Sequence, residues 1–154
     1  MVKTAGRMRL CILLLTLILA FIWGNSLLPG EISGAISGWV KNLIRMIIHL
    51  PESDPEQGHG LLRKLAHFTE FGCLGMVLCW LFGMLNKHRL FALLCGFSAA
   101  CTDETIQCFV PDRGPGIRDV LIDTAGVVVG MGILLAGYAI YQKKKIKKME
   151  EIKQ

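Results

Sequence analysis

The chain has 154 residues, 53% of them hydrophobic, with a mean hydropathy of +0.50 and a formal net charge of +5. The apolar residues come in blocks of membrane length, which argues against an ordinary soluble domain, and no fixed-period repeat is visible. The basic residues flank those blocks instead of covering a surface interleaved with aromatics, which argues against a nucleic-acid binder.

One membrane domain is expected over 10–141, between a basic N-terminus at 1–9 and a basic tail at 142–154. The predicted fold class is all-α: a four-helix transmembrane bundle, with an amphipathic interfacial helix between the first and second spans. Six cysteines fall in or beside apolar runs without zinc-type spacing, and read as buried thiols acting as small apolar residues.

The first run, 10–28, follows Lys3, Arg7 and Arg9. It has the basic start of a signal peptide, but no small-x-small cleavage site follows, so it is read as a retained helix. The segment 32–50 places Ile36, Trp39, Val40, Leu43, Ile47 and Leu50 near helical spacing, as in a helix lying on the outer leaflet or over the bundle mouth. Residues 51–60 read as a polar loop in which His59 is solvated.

The remaining runs are 65–85, 90–110 and 120–141, each near the roughly 20 residues that one helical crossing needs. The turn 86–89 carries Lys87 and Arg89, and Lys143, Lys144, Lys145, Lys147 and Lys148 follow the last run. In a four-span chain these short basic flanks fall on one side, so a multi-pass cell-membrane protein with both termini cytoplasmic is expected. Lys41, Arg45, Arg63 and Lys64 lie on the other side, against the rule. The lysine-rich tail is expected to contact anionic lipid.

Against this background the stretch 101–126 is anomalous. Asp103, Glu104, Asp112, Asp119 and Asp123 lie there with Arg113 and Arg118, where two apolar segments meet. The topology resolves the anomaly. His67 and Glu70 fall in the first outer turns of the second span, Asp103, Glu104 and Gln107 at the outer end of the third, and Asp119 and Asp123 at the outer start of the fourth. A charge facing lipid at mid-helix costs about 2.5–3.5 kcal/mol, so these groups are expected to face one another around a polar pocket open to the outside. Glu70, three residues on from His67, is expected to hold the imidazole charged. Asp119, Asp123, Gly126 and Gly130 form one stripe, whose glycines would admit a second helix closely.

The ordered segments RKLAHFTEFGCLG and DETIQCFVPDRGPGIRDVLIDTAG, with four apolar runs, resemble the VanZ-like family of small bacterial membrane proteins. Lys64, His67, Phe68, Glu70, Asp103, Glu104, Gln107, Arg113, Asp119, Asp123 and Gly126 occupy the family's motif positions. Phe71 stands where the family usually has Tyr, so no hydroxyl there can be essential. The resemblance implies a membrane protein of the cell envelope and, through the association of the family's named member with low-level teicoplanin resistance, a link to glycopeptide resistance.

The candidate catalytic residues are His67, Glu70, Asp103 and Glu104; the candidate ligand-binding residues are Lys64, Gln107, Arg113, Asp119 and Asp123. His67 or Glu70 would be the acid or base, Arg113 would hold a phosphate or carboxylate, and Asp103 and Glu104 would bind a divalent cation or orient the base. These residue types suit several metals, so the metal stays open. The ligand would be lipid-linked or derived from the cell envelope. Two other readings remain: a binding or scaffold protein whose charges form a structural network, and a small transporter working as an oligomer. No serine–histidine–acid triad, P-loop or dinucleotide fingerprint is present.

Overall fold

A computed structural model describes residues 2–48, 59–114 and 116–152. The described residues are all helical outside short turns: α1 (Val2–Ser26), α2 (Gly30–Ile48), α3 (His59–Met84), α4 (Arg89–Gln107) and α5 (Ile117–Ile152). Leu50 and the expected polar loop at 51–58 lie outside the described residues. His59 opens α3 instead of sitting in that loop.

Three helices are long and apolar enough to cross a membrane: α1 over Ala5–Ser26, α3 over Leu61–Met84 and α5 over Ile117–Glu151. The fourth expected span, α4, has 19 residues. At 1.5 Å per residue that is about 28 Å, close to a hydrocarbon core of about 30 Å. Its last turns, Thr102-Asp103-Glu104-Thr105-Ile106-Gln107, are polar, which shortens its apolar length.

The helices pack through one inner stripe each. On α1 the stripe is Cys11, Leu15, Ile18 and Ile22; on α3 it is Phe71, Leu74 and Leu78; on α4 it is Ala92, Gly96, Ala99 and Ala100. Steps of three and four residues keep each stripe on one face. Ile22, Phe71, Leu74, Leu78 and Val127 meet the small residues of α4 in one core. The outer faces are apolar too: Leu13, Leu17, Phe21, Leu94, Leu121 and Ile133 are exposed, as on a surface solvated by lipid.

The central pair is α3 against α5, and glycine sets its closeness. A Cβ on Gly130 would collide with the Gly72 carbonyl oxygen, one on Gly126 with that of Phe68, and one on Gly75 with that of Val127. The two backbones touch over two turns, as small-residue stripes permit between membrane helices.

Turns fix the ends. Helix α3 stops in a Schellman pair, Lys87 N–H to Phe82 C=O at 2.9 Å and Asn86 N–H to Gly83 C=O at 3.3 Å, with Asn86 at φ 52°. The Nδ1 of His88 then accepts from Leu90 N–H and caps α4. At the other end Gly30 N–H donates to the Pro111 carbonyl, tying the start of α2 to the α4–α5 turn. A Cβ there would lie 2.5 Å from the Asp112 carbonyl oxygen, so this junction admits glycine alone.

Helix α2 exposes Ile32, Ile36, Trp39, Leu43, Met46 and Ile47, and packs against α3. Only Cys11 and Cys79 among the cysteines are buried; Cys73, Cys95 and Cys108 are exposed. The expectation of buried thiols therefore holds for two of the six.

Candidate functional site

Followed toward one end of the bundle, each inner stripe changes from apolar to polar. Ile22 on α1 is followed by Ser26; Phe71 on α3 is preceded by His67; Ala99 on α4 is followed by Asp103 and Gln107; Gly126 on α5 is preceded by Asp123 and Asp119. Ser26 and Asp103 are fully buried, Asp123 is 1% exposed, and Glu104 and Gln107 are also buried.

Asp103 is the centre of this cluster. Its Oδ1 accepts from Ser26 Oγ at 2.6 Å, and its Oδ2 accepts from Gln107 Nε2 at 2.8 Å. Gln107 Nε2 also reaches Ser26 Oγ at 3.4 Å. The His67 Nδ1 stands 3.9 Å from Asp103 Oδ2, beyond hydrogen-bonding range. Arg113, on the α4–α5 turn, donates from Nη1 to the Ser26 carbonyl at 3.4 Å. Burial, then the neighbouring Arg63, pull the Arg113 guanidinium below its ordinary pKa.

Glu104 and Glu70 take their hydrogen bonds from outside this centre. The Oε2 of Glu104 accepts from Gly116 N–H at 2.7 Å. Gly116 immediately precedes α5, its carbonyl accepting from Asp119 N–H at 2.8 Å, so Glu104 holds a helix start in place. Glu70 Oε1 accepts from Asn25 Nδ2 at 3.1 Å on α1. The expected partnership of Glu70 with His67 is therefore replaced by one with Asn25, while His67 turns toward Asp103. Lys64 Nζ lies 3.7 Å from Asp119 Oδ1 at the exposed rim. Such a rim pair contributes about 0–1 kcal/mol.

A cavity of about 10 Å³ lies among Arg63, Lys64, His67, Glu104, Gln107, Asp119, Ile122 and Asp123. That is the room one water or one ion occupies, smaller than the open pocket expected from the sequence. A separate groove of about 520 Å³ runs between α1 and α3, lined by Leu14, Leu17, Ile18, Phe21, Thr69, Glu70 and Cys73. Glu70 lines this groove and not the polar cavity: Oε1 binds Asn25, and Oε2 is buried without a hydrogen-bond partner.

Asn25 escaped sequence reasoning, and Ser26 was marked only by the likeness of FIWGNSLLPG to the family's serine-containing exit from the first helix. The two residues end α1, and their small neutral side chains carry no charge signal. What marks them is their place one turn beyond Ile22, on the inner stripe.

In comparison with known proteins, the chain matches a family model described as VanZ/LLP1 over residues 11–140. Neither a curated protein nor a solved structure matches it. The match spans all the helices that build the buried polar cluster, and the chain belongs to the VanZ/LLP1 family.

Proposed function

We propose that this membrane protein holds a lipid-linked or cell-envelope ligand, its apolar chain in the α1–α3 groove and its polar head at the rim of the polar end, by Arg63 and Arg113. The observation that carries this reading is Glu70, which lines the largely apolar groove and has a second carboxylate oxygen without a hydrogen-bond partner. A groove on the outer face of a bundle meets acyl or isoprenoid chains as its solvent, so a tail needs no opening to enter. Arg113 and Arg63 supply the positive charge that a phosphate-bearing head would meet, and Arg113 suits two oxygens at once. His67 and Glu70 are the groups able to move a proton at the head.

The topology that goes with this reading has four spans, α1, α3, α4 and α5, with both termini cytoplasmic and the polar end outside. Helix α2, with its exposed Ile36, Trp39 and Leu43, lies in the outer interface or against a second copy. The Lys143–Lys148 segment contacts anionic headgroups inside. A contribution to teicoplanin tolerance follows from the family resemblance alone, and susceptibility with and without the expressed protein tests it.

The test of the ligand reading is native mass spectrometry of the full chain released from mild detergent. A co-purifying phosphorylated lipid is expected, reduced at least tenfold by Leu14→Trp, which fills the groove, and by Glu70→Gln. Equal lipid retention in all three proteins overturns the reading. A purely structural role is favoured by one observation, the Ser26–Asp103–Gln107 bonds joining α1 to α4. It predicts that Glu70→Gln and Arg113→Lys lose membrane abundance in step with any phenotype.

A further inference from the structure

Asp123 is 1% exposed, and neither of its carboxylate oxygens has a hydrogen-bond partner. Leaving a buried carboxylate unpaired is among the most costly arrangements a chain can adopt. The Nδ1 of His67, across the cavity on α3, is likewise buried and unpartnered. One ligand atom each from His67, Asp103 and Asp123 lies within 4.8 Å of the others. We infer that His67, Asp103 and Asp123 form a binding site for one divalent transition-metal ion, of the Mn²⁺ or Zn²⁺ class, joining α3, α4 and α5.

Geometry, charge and room agree. Ligand atoms about 2.1 Å from a tetrahedral ion stand about 3.4 Å apart, so rotations moving each atom by about 1 Å close the set. The cavity beside Asp123 and His67, about 10 Å³, is of single-ion size. One imidazole with two carboxylates is a mixed donor set that suits Mn²⁺ and Zn²⁺ better than Mg²⁺, which prefers oxygen alone. At this end Glu70, Asp103, Glu104, Asp112, Asp119 and Asp123 outnumber Arg63, Lys64, Arg113 and Arg118, an excess that a dication offsets. Asp103 is already oriented from behind, Oδ1 by Ser26 and Oδ2 by Gln107. Such outer partners fix a ligand's direction. Glu104, an expected cation ligand, is engaged by Gly116 N–H and stands outside the set. The site stands independently of any lipid in the α1–α3 groove.

The test uses the full chain in mild detergent, stripped with chelator, desalted, then titrated separately with Mn²⁺ and with Zn²⁺. Expected are one ion retained per chain, a chelator-reversible rise in melting temperature, and nitrogen coupling in the pulsed EPR spectrum of the Mn²⁺ form. His67→Gln abolishes the nitrogen coupling, and His67→Gln and Asp123→Asn each weaken binding about 10–100-fold or more. If Asp123→Asn does not accumulate, the wild type and His67→Gln decide alone. Failure of the wild type to retain either ion overturns the inference. So does retention that His67→Gln leaves unchanged, which would move the ion to another site.

Discussion

At the residue scale Ser26 carries more weight than its size suggests. It is fully buried, donates to Asp103, and lends its own carbonyl to Arg113. Ser26→Ala leaves the Asp103 Oδ1 without that donor, and such an unsatisfied buried group costs about 1–3 kcal/mol. The expected outcome is a lower melting temperature in detergent, with more protein lost on extraction. Arg113→Lys is a different case. A lysine ammonium cannot offer the planar pair of donors, so retained phosphorylated lipid falls about tenfold or more while membrane abundance holds. Lipid analysis of matched amounts of protein checks this.

The charged members of the cluster were legible in the sequence because charge in an apolar run is conspicuous. Asn25 was not, and Ser26 was so only through the family resemblance, because a small neutral side chain costs little anywhere and leaves no trace in hydropathy. Nor was the direction of each carboxylate. Glu70 and His67 share a face by spacing, but the end of α1 places Asn25 beside Glu70, and the pairing follows from packing between helices.

At the scale of elements the contact between α3 and α5 is the most demanding. The Gly126–Gly130 stripe was visible in the sequence, and its partner, Gly72 with Gly75, becomes evident once the helices are together. A methyl group on Gly130 would collide with backbone, which cannot rotate away. Gly130→Ala is therefore expected to destabilise by about 1–3 kcal/mol or more. Gly132, two residues on, has nothing within 4 Å of where its Cβ would lie. Gly132→Ala should leave stability unchanged or slightly improved, since alanine favours helix. Thermal melting of the two proteins side by side checks the pair, and equal effects would refute this account of the interface. The boundaries of α4 show the opposite limit of sequence reading. Its polar last turns lower its apolar length because they face inward, and a hydropathy window does not see direction.

At the scale of the whole molecule the four-span reading has a direct check. Reporter fusions or accessibility labels at His88 and Gly114, at opposite ends of α4, should report opposite sides of the membrane. The same side for both would remove α4 as a span and, with it, the outward-facing cluster. Helix α5 extends the same frame inward. Its 36 residues make about 54 Å of helix, longer than the hydrocarbon core, and its last turns carry the lysines. Changing Lys143, Lys144, Lys145, Lys147 and Lys148 to glutamine is expected to reduce anionic lipid enrichment around the purified protein, at about 1 kcal/mol per lysine near the surface.

The confinement of polar groups to one end also governs what can pass through a single chain. Below Asp103 and Asp123 the interior is closed by Ile22, Phe71, Leu74, Leu78, Ala92 and Val127, all buried and all without a polar side-chain atom. A proton or hydrated ion entering from the polar end meets an apolar barrier, with no polar side chain among these core residues to relay it. One chain is therefore expected to behave electrically as a blind well. Liposomes containing the monomer should keep an imposed pH gradient as long as empty ones, and Phe71→Asp, which opens that wall, is the substitution expected to make them leak.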